Sequence, residues 1–234
     1  MAARTVILLP PSEGKAPGGA GPAWAPATMA VAELDVGRQQ VLEALGPDHP
    51  AAHGGTAPAI ERYTGVLYRE LDAASLGKVA RRRLDRDVLV ASGLWGLVAP
   101  TDPIPDYRLK MGGRVEPLGK LSTWWRPQVS AALAPRVDGA VVWDLLPDEH
   151  AAAVDWTDLG PRRRVRVRFL DRGGRTVSHW NKLLKGSIVR WLVQTGERDP
   201  KALAGFDHPQ GYRLDLDASS FSRREAAVVL REGP

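Results

Sequence analysis

The chain has 234 residues, 44% of them hydrophobic and 25% charged, with a formal net charge of +5. That is enough apolar material for a sizeable core, and it excludes a chain disordered throughout. The lack of cysteine excludes disulfides, thiolate metal sites and a thiol nucleophile, while the mildly basic balance favours polyanionic partners such as nucleic acid or phosphorylated ligands.

From the amino terminus, "TVILLPPSEGK" predicts a buried strand over Thr5–Leu9 that stops at Pro10-Pro11, since proline cannot donate to a strand ladder. The opening "MAARTVILLPPSEGK" has one arginine and a short apolar run, which does not make a secretory leader. No apolar stretch reaches the length of a membrane span, so the expectation is a soluble cytoplasmic protein with no membrane partner. Residues 16–28 form a Pro/Gly-rich loop. "MAVAELDVGRQQVLEALG" has helical spacing and stops at Gly46. In "APAIERYTGVLYREL", Tyr63, Val66, Leu67 and Leu71 are expected to face inward. "ASLGKVARRRL" is helical and carries the basic cluster Arg81, Arg82 and Arg83.

"DVLVASGLWGLV" places a buried strand at Val88–Ala91, before a Gly-rich turn. "GAVVWDLL" is another buried strand, running into "PDEH", a turn or helix start. "RRVRVRFLD" alternates strictly, with Arg164, Arg166 and Arg168 on one face and Val165, Val167 and Phe169 on the other. "GRTVSHWNKLLKGSIVRWLVQTG" reads as a strand end followed by a helix, and "GYRLDLDASSFSRREAAVVLRE" as a terminal hairpin. Strands alternating with helices point to an α/β or α+β fold. No internal repeat or compositional break divides the chain, so residues 1–234 are expected to form one domain.

Several common motifs are missing. "PPSEGK" lacks the frame of a phosphate-binding P-loop, no GxGxxG follows a strand, and "ASGLW" is not a GxSxG nucleophile elbow. The histidines at positions 49, 53, 150, 179 and 208 have no zinc-binding spacing, so neither a metal nor a cofactor is expected. Three stretches carry more. Pro100, Pro103 and Pro105 stiffen a loop that runs into Asp106, Tyr107, Arg108 and Lys110, and a rigid loop presents side chains to a ligand at little ordering cost. The alternative is that these residues tie the loop to its own domain. In the helix after Asn181, Lys182, Lys185, Gly186 and Arg190 share one face, and Leu184, Ile188, Trp191 and Leu192 the other. The cationic face either binds phosphates or is simply solvated, and Gly186 would let something approach the backbone closely. Asp144, Asp148 and Glu149 follow a buried strand, as Ser12, Glu13 and Lys15 follow the first. Carboxylates at a strand end can bind a ligand, move protons or form structural ion pairs.

Taken together, "ILLPPSEGK", "YTGVLY", "SGLWGLVAPTDPIPDYRLKMG", "LLPDEH", "VRFLD", "KLLKGSIVRWL" and "GFDHPQGYRLD" resemble, in this order, the YaaA peroxide stress response family over nearly the whole chain. The resemblance implies a cytosolic bacterial protein that limits peroxide damage by lowering unincorporated iron. It also implies a compact mixed α/β domain with a central mixed sheet, surrounding helices, a helix-hairpin-helix-like element and a positively charged cleft for double-stranded DNA. Tyr107, Arg108, Met111 and Gly112 match the family's loop, Glu149 its acidic position, and Lys182, Gly186 and Arg190 its basic helix. His150 replaces a usual tyrosine, Leu183 and Lys185 stand where many members have lysine and arginine, and the "PPSEGK" form leaves Lys15 without a settled role. Only "SLGKVA" is a fragment of a hairpin motif.

Two readings stay open at this point. In one, Arg108, Lys110, Lys182, Lys185 and Arg190, with Lys15 nearby, hold duplex DNA by its phosphates. In the other, the same cations hold a nucleotide or another phosphorylated small molecule, Tyr107 stacks or donates, and Asp148 or Glu149 moves protons. Direct iron binding by His150 with Asp148 and Glu149 lacks the converging ligands a metal needs.

Overall fold

The computed structural model describes residues 4–177 and 181–233. In chain order its elements are β1 (Thr5–Leu9), α1 (Asp35–Leu45), α2 (Pro50–His53), β2 (Ala57–Pro58), α3 (Ala59–Arg62), α4 (Val66–Leu71), α5 (Lys78–Asp87), β3 (Val88–Ser92), β4 (Gly96–Val98), β5 (Pro103–Ile104), β6 (Arg114–Val115), β7 (Gly119–Lys120), α6 (Leu121–Val137), β8 (Val141–Asp144), α7 (Asp148–Ala151), β9 (Arg163–Leu170), α8 (Asn181–Thr195), β10 (Tyr212–Leu214), β11 (Ser220–Phe221) and β12 (Glu225–Glu232).

Eight strands form one mixed sheet in the order β10-β12-β9-β8-β1-β3-β4, with β11 also on β12. The apolar runs of β1, β3 and β8 are buried almost throughout, as strands covered on both faces must be. β12, β9, β8, β1 and β3 are mutually parallel, and β4, β10 and β11 run antiparallel to their neighbours. The chain leaves β1 for β3 on one side. It then returns across β1 to β8 and continues outward through β9 and β12. This reversal makes a topological switch point between β1 and β8, where the loops leaving adjacent carboxyl ends part to opposite faces of the sheet. Right-handed crossovers in the two directions put α5 and α6 on opposite faces. In agreement, α5 packs on β1, β3 and α8, while α6 packs on β1, β4 and the 3-10 turn at Ala32–Leu34.

Two arginines are fully buried, against the usual surface preference of this residue type. Arg38 pairs with Asp35 at 2.6 Å and donates to the carbonyls of Trp95 and Leu97 at 3.1 and 2.8 Å, fastening α1 to β4. Arg62 donates to the carbonyls of Ile104 (3.2 Å), Gly55 (3.0 Å) and Ala16, so it ties the Pro/Gly-rich loop to the proline arm. Asp102 braces the start of that arm, accepting from the amides of Ala30 and Ala99 at 2.8 Å each.

The predicted strands β1, β3, β8 and β9 are all present, and Val165 and Phe169 are buried while Arg166 and Arg168 face water. Three expectations change. Val66 is 38% exposed, because α4 starts there and turns Leu67, Tyr68 and Leu71 inward instead. The helix in "ASLGKVARRRL" begins only at Lys78, after a separate 3-10 turn at Ala73–Ser75. The carboxyl-terminal segment is more than a hairpin: β12 joins the main sheet beside β9 and carries both β10 and β11. Among the described residues, no helix is long and apolar enough to cross a membrane.

Candidate functional site

The stretches singled out in the sequence meet at the carboxyl ends of β1, β3 and β8. The proline arm returns there because Gly93 has no side chain. A Cβ at that position would lie 2.8 Å from the carbonyl carbon of Lys110 and 2.9 Å from the nitrogen of Met111. At the arm's far end the Gly112 amide donates to Glu149 Oε1 at 2.7 Å, joining the arm to the start of α7. Lys110 Nζ lies 3.1 Å from Glu13 Oε1, which ties the arm to the loop after β1. Both partners of that pair are solvent-exposed, so it positions more than it stabilises. The Lys110 ammonium holds the Glu13 carboxyl below its ordinary range, and the charges of Lys182 and Arg108 add to the effect. Glu13 is thus a common neighbour of cations from the arm and from α8.

Lys15 lies deeper. Its ammonium donates to the Ser12 carbonyl at 2.9 Å and sits 4.1 Å from the centroid of the Tyr107 ring, in cation–π contact. Burial lowers the Lys15 amine to about 8; Asp106 opposes the shift and Arg108 reinforces it. Beneath it, Ser92, Tyr107 and Tyr63 form a chain of hydroxyls with steps of 2.7 and 2.9 Å. Ser92 Oγ accepts from the amides of Leu94 (3.3 Å) and Trp95 (3.1 Å), so its own proton goes to Tyr107. Burial pushes Tyr107 up to about 12 and Tyr63 well above its ordinary value, so both stay neutral. Tyr107 therefore has no free hydroxyl, and Lys15 lies over its ring. The role expected of it, stacking on a ligand or donating to one, passes to that of a platform for Lys15.

The basic helix is arranged differently from expectation. Lys182, Lys185, Gly186 and Arg190 do not make one solvated strip, because α4 covers much of it. A Cβ on Gly186 would sit 2.3 Å from the Leu67 carbonyl oxygen, so the close approach this glycine permits is to the backbone of α4. Ser187 donates to Glu70 Oε1 at 2.8 Å and accepts from His208 Nε2 at 3.1 Å; His208 Nδ1 accepts from the Gln210 amide, which places the ring proton on Nε2. Arg190 donates to the carbonyls of Leu71 and Asp72, both at 2.9 Å, and to Ser75 Oγ at 2.8 Å. It caps the end of α4 and stands apart from the other candidates. Lys182 alone of the four is exposed.

Lys185 is only 8% exposed. Burial lowers its amine to about 8, against the opposing pull of Asp144 and then Asp148. Asp144 has a closer partner: Arg164, on the neighbouring strand β9, holds it through Nε at 2.9 Å and Nη2 at 2.5 Å and stacks 4.1 Å from the Trp156 ring centroid. Among the described residues, no carboxylate lies within 4.0 Å of the Lys185 ammonium and no acceptor is in hydrogen-bond reach. His150 is half-buried with no partner for Nδ1; burial holds the ring below its ordinary range, Glu149 counters this, and the Lys185 charge reinforces it. Asp148 and Glu149 are both exposed, at the start of α7.

Lys15, Tyr107, Arg108, Lys110, Lys182, Lys185, Asp148 and Glu149 therefore share one end of the sheet, and Arg190 does not. Ser92 and Tyr63 were missed as parts of the site. Tyr63 was expected only to face inward, and Ser92 was not singled out within "DVLVASGLWGLV". Among the described residues, no three His, Asp or Glu side chains converge as a metal ion would need. His179 lies outside the described residues.

The opposite end of the sheet holds a cavity of about 520 Å³ lined by Arg4, Arg86, Arg136, Asp87 and others. There Arg86 is bidentate to Asp87 at 2.7 Å, Arg136 pairs with Glu33 at 3.0 Å, and Arg4 donates to the carbonyls of Pro135 and Asp138.

The sequence profile of the family described as "Peroxide stress protein YaaA" matches residues 27–218. A UPF0246 protein of Streptomyces coelicolor is 37% identical, over 91% of this chain and 93% of that protein. UPF0246 proteins of Methylibium petroleiphilum and Chromobacterium violaceum are 35% and 31% identical, over 82% and 81% of this chain and 76% and 74% of theirs.

Proposed function

Because the chain belongs to the peroxide stress protein YaaA family, we propose that it limits damage from unincorporated iron in the cytoplasm, and that it does so by holding double-stranded DNA in a basic cleft at the carboxyl ends of β1 and β8. The observation that carries this reading is the gathering of Arg108, Lys110 and Lys182 about Glu13, with the arm tied to the loop after β1 by the Lys110–Glu13 pair and to α7 by the Gly112–Glu149 bond. Flexible cations at a rim contact phosphates without reading bases, so the binding is sequence-independent and weakens steeply with salt. Fluorescence anisotropy with a labelled duplex tests it. Binding is expected at about 50 mM salt and should fall by orders of magnitude towards about 200 mM. Charge reversal at Lys110 and Lys182 together should abolish it. No binding at the lower salt rejects the reading.

A second reading, an enzyme acting on a nucleotide or nucleobase in the same cleft, draws on the depth of Lys15 and Lys185. Ammoniums this buried lie out of reach of a duplex backbone but suit a small ligand, with Asp148 or Glu149 beside it to move protons. A thermal-shift comparison separates the two readings, since a ligand that binds only the folded chain raises its melting temperature by mass action.

A further inference from the structure

We propose that the cavity at the amino ends of β1 and β3 is a binding site for a small organic phosphate, with Arg198 and Arg4 receiving the phosphate and apolar side chains between them taking the body of the ligand. The proposal is independent of both readings of the carboxyl ends and uses none of their residues.

The carboxylates at this cavity are answered by partners of their own. Asp87 is held bidentate by Arg86 at 2.7 Å, and Asp85 accepts from Arg81 Nε at 2.9 and 3.1 Å. Arg136 has Glu33 at 3.0 Å. With those pairs matched, two of the lining guanidiniums have no carboxylate within 4.0 Å among the described residues, Arg4 and Arg198. Arg4 gives only its Nη2, to the carbonyls of Pro135 and Asp138 at 3.1 and 3.0 Å. Neutral carbonyls leave its charge whole, and its Nε and Nη1 make no bond among the described residues.

Arg198 makes no side-chain hydrogen bond among the described residues. Its chain neighbour Asp199 is occupied, accepting from the Lys201 amide at 3.1 Å and lying 3.9 Å from Arg163. The Nε of Arg198 is buried and closed to a ligand, but its Nη atoms are not, and they are what the side chain offers at the cavity wall. A half-buried guanidinium without a counter-ion is costly, and arginine cannot escape that cost by losing its proton. No bond in the fold accounts for this one, which leaves a ligand to do so.

Two such charges at one cavity match a phosphate monoester, which carries about −1.5 to −2 at pH 7 and accepts two parallel N–H···O bonds from a guanidinium fork. A carboxylate brings a single charge. The volume, about 520 Å³, falls among small-molecule sites, roughly 300–1,000 Å³, and is far too small for a duplex. Val31, Leu89 and Ala99 line the same cavity, so the ligand that fills it has an apolar part beside its phosphate.

Isothermal titration calorimetry of the full chain with phenyl phosphate, benzoate and inorganic phosphate tests the site. Phenyl phosphate should bind. Benzoate, short of a charge, and inorganic phosphate, short of an apolar body, should each bind at least about tenfold more weakly. Arg198→Met should keep the fold, since the arginine makes no bond that holds it, and should lose about tenfold to a hundredfold in affinity for phenyl phosphate. Lys182→Glu and Lys185→Met, at the other end of the sheet, should leave that affinity unchanged. Phenylglyoxal labelling of the wild-type chain, read by mass spectrometry, needs no variant: phenyl phosphate should protect Arg198 and leave Arg166, exposed on β9, as reactive as before. The site is overturned if phenyl phosphate does not bind wild type, if Arg198→Met binds it equally well, or if Arg198 labels equally with and without it. Equal affinity for benzoate overturns the choice of phosphate, and equal affinity for inorganic phosphate overturns the apolar part. Binding lost in Lys185→Met but kept in Arg198→Met would move the ligand to the carboxyl ends and overturn the proposal. None of these failures touches the duplex reading, which anisotropy tests separately.

Discussion

At the amino ends of β1 and β3, arginines are already engaged: Arg86 with Asp87, Arg136 with Glu33, and Arg4 with the carbonyls of the last turn of α6, where a cation also meets the negative end of the helix dipole. At the carboxyl ends of β1 and β8 lysines join Arg108 and Arg164, and the compensation of those lysines is thin. Lys15 has a carbonyl and an aromatic face, Lys110 an exposed carboxylate, and Lys185 no contact partner among the described residues. Arginine, always charged and forked, suits permanent pairing, whereas lysine is a point charge that yields its proton when buried. The difference teaches where a ligand's charge is needed. At one end of this sheet Arg4, Arg86 and Arg136 are engaged while Arg198 keeps a buried, unpartnered Nε, and at the other the lysines are thinly compensated at the switch point where α/β sheets gather ligands.

The comparison breaks most severely where the open end borrows a closed pair. Replacing Asp144 with Asn leaves the Arg164 guanidinium half-paired in a buried setting, and chemical denaturation should show a loss of about 3–5 kcal/mol. An unchanged midpoint would mean that the pair is solvated and that Asp144 is free to serve Lys185.

A smaller effect appears in the pH dependence of stability. Unfolded, Lys15 and Lys185 keep their protons up to their ordinary value of 10.5; folded, burial brings both to about 8. Between these values the unfolded chain binds more protons, so stability should rise with pH from about 8 towards 10, and the rise should flatten in a Lys15→Met, Lys185→Met double variant. Melting temperatures measured across that window check it, and a wild-type curve that is flat or falling would contradict the burial of both amines. The smallest effect belongs to the rim. Glu13→Gln removes an ion pair open to water and should leave the denaturation midpoint where it was, while strengthening duplex binding by taking away a carboxylate.

How much of this was legible in the sequence follows from what each residue depends on. The strands β1, β3 and β8 could be read from their apolar runs alone, because a strand buried on both faces needs no partner to reveal itself. The three chemical stretches could also be read, since proline, glycine and clustered charge mark them locally. The order of the sheet could not, and with it went the knowledge that the loops after β1 and β8 are neighbours. The expectation that Lys185 and Arg190 share one face of α8 does not hold, because Arg190 caps the end of α4 while Lys185 lies towards Asp144 and Asp148, and nothing local to "KLLKGSIVRWL" says that α4 will cover part of this helix. Gly186 was read as a point of close approach, yet its partner, the Leu67 carbonyl, lies more than a hundred residues away in the chain. Arg38 and Arg62 were invisible as core residues for the same reason, since the carbonyls they satisfy come from distant segments.

The most direct measurement is lysine footprinting by mass spectrometry, with an amine-reactive reagent applied to the protein alone, with a nucleoside monophosphate and with duplex DNA. The account predicts protection of Lys185 by the monophosphate and of Lys110 and Lys182 by the duplex, with Lys78 and Lys201, which lie outside the site, unaffected by either. Equal labelling of Lys110, Lys182 and Lys185 with and without both ligands would contradict it.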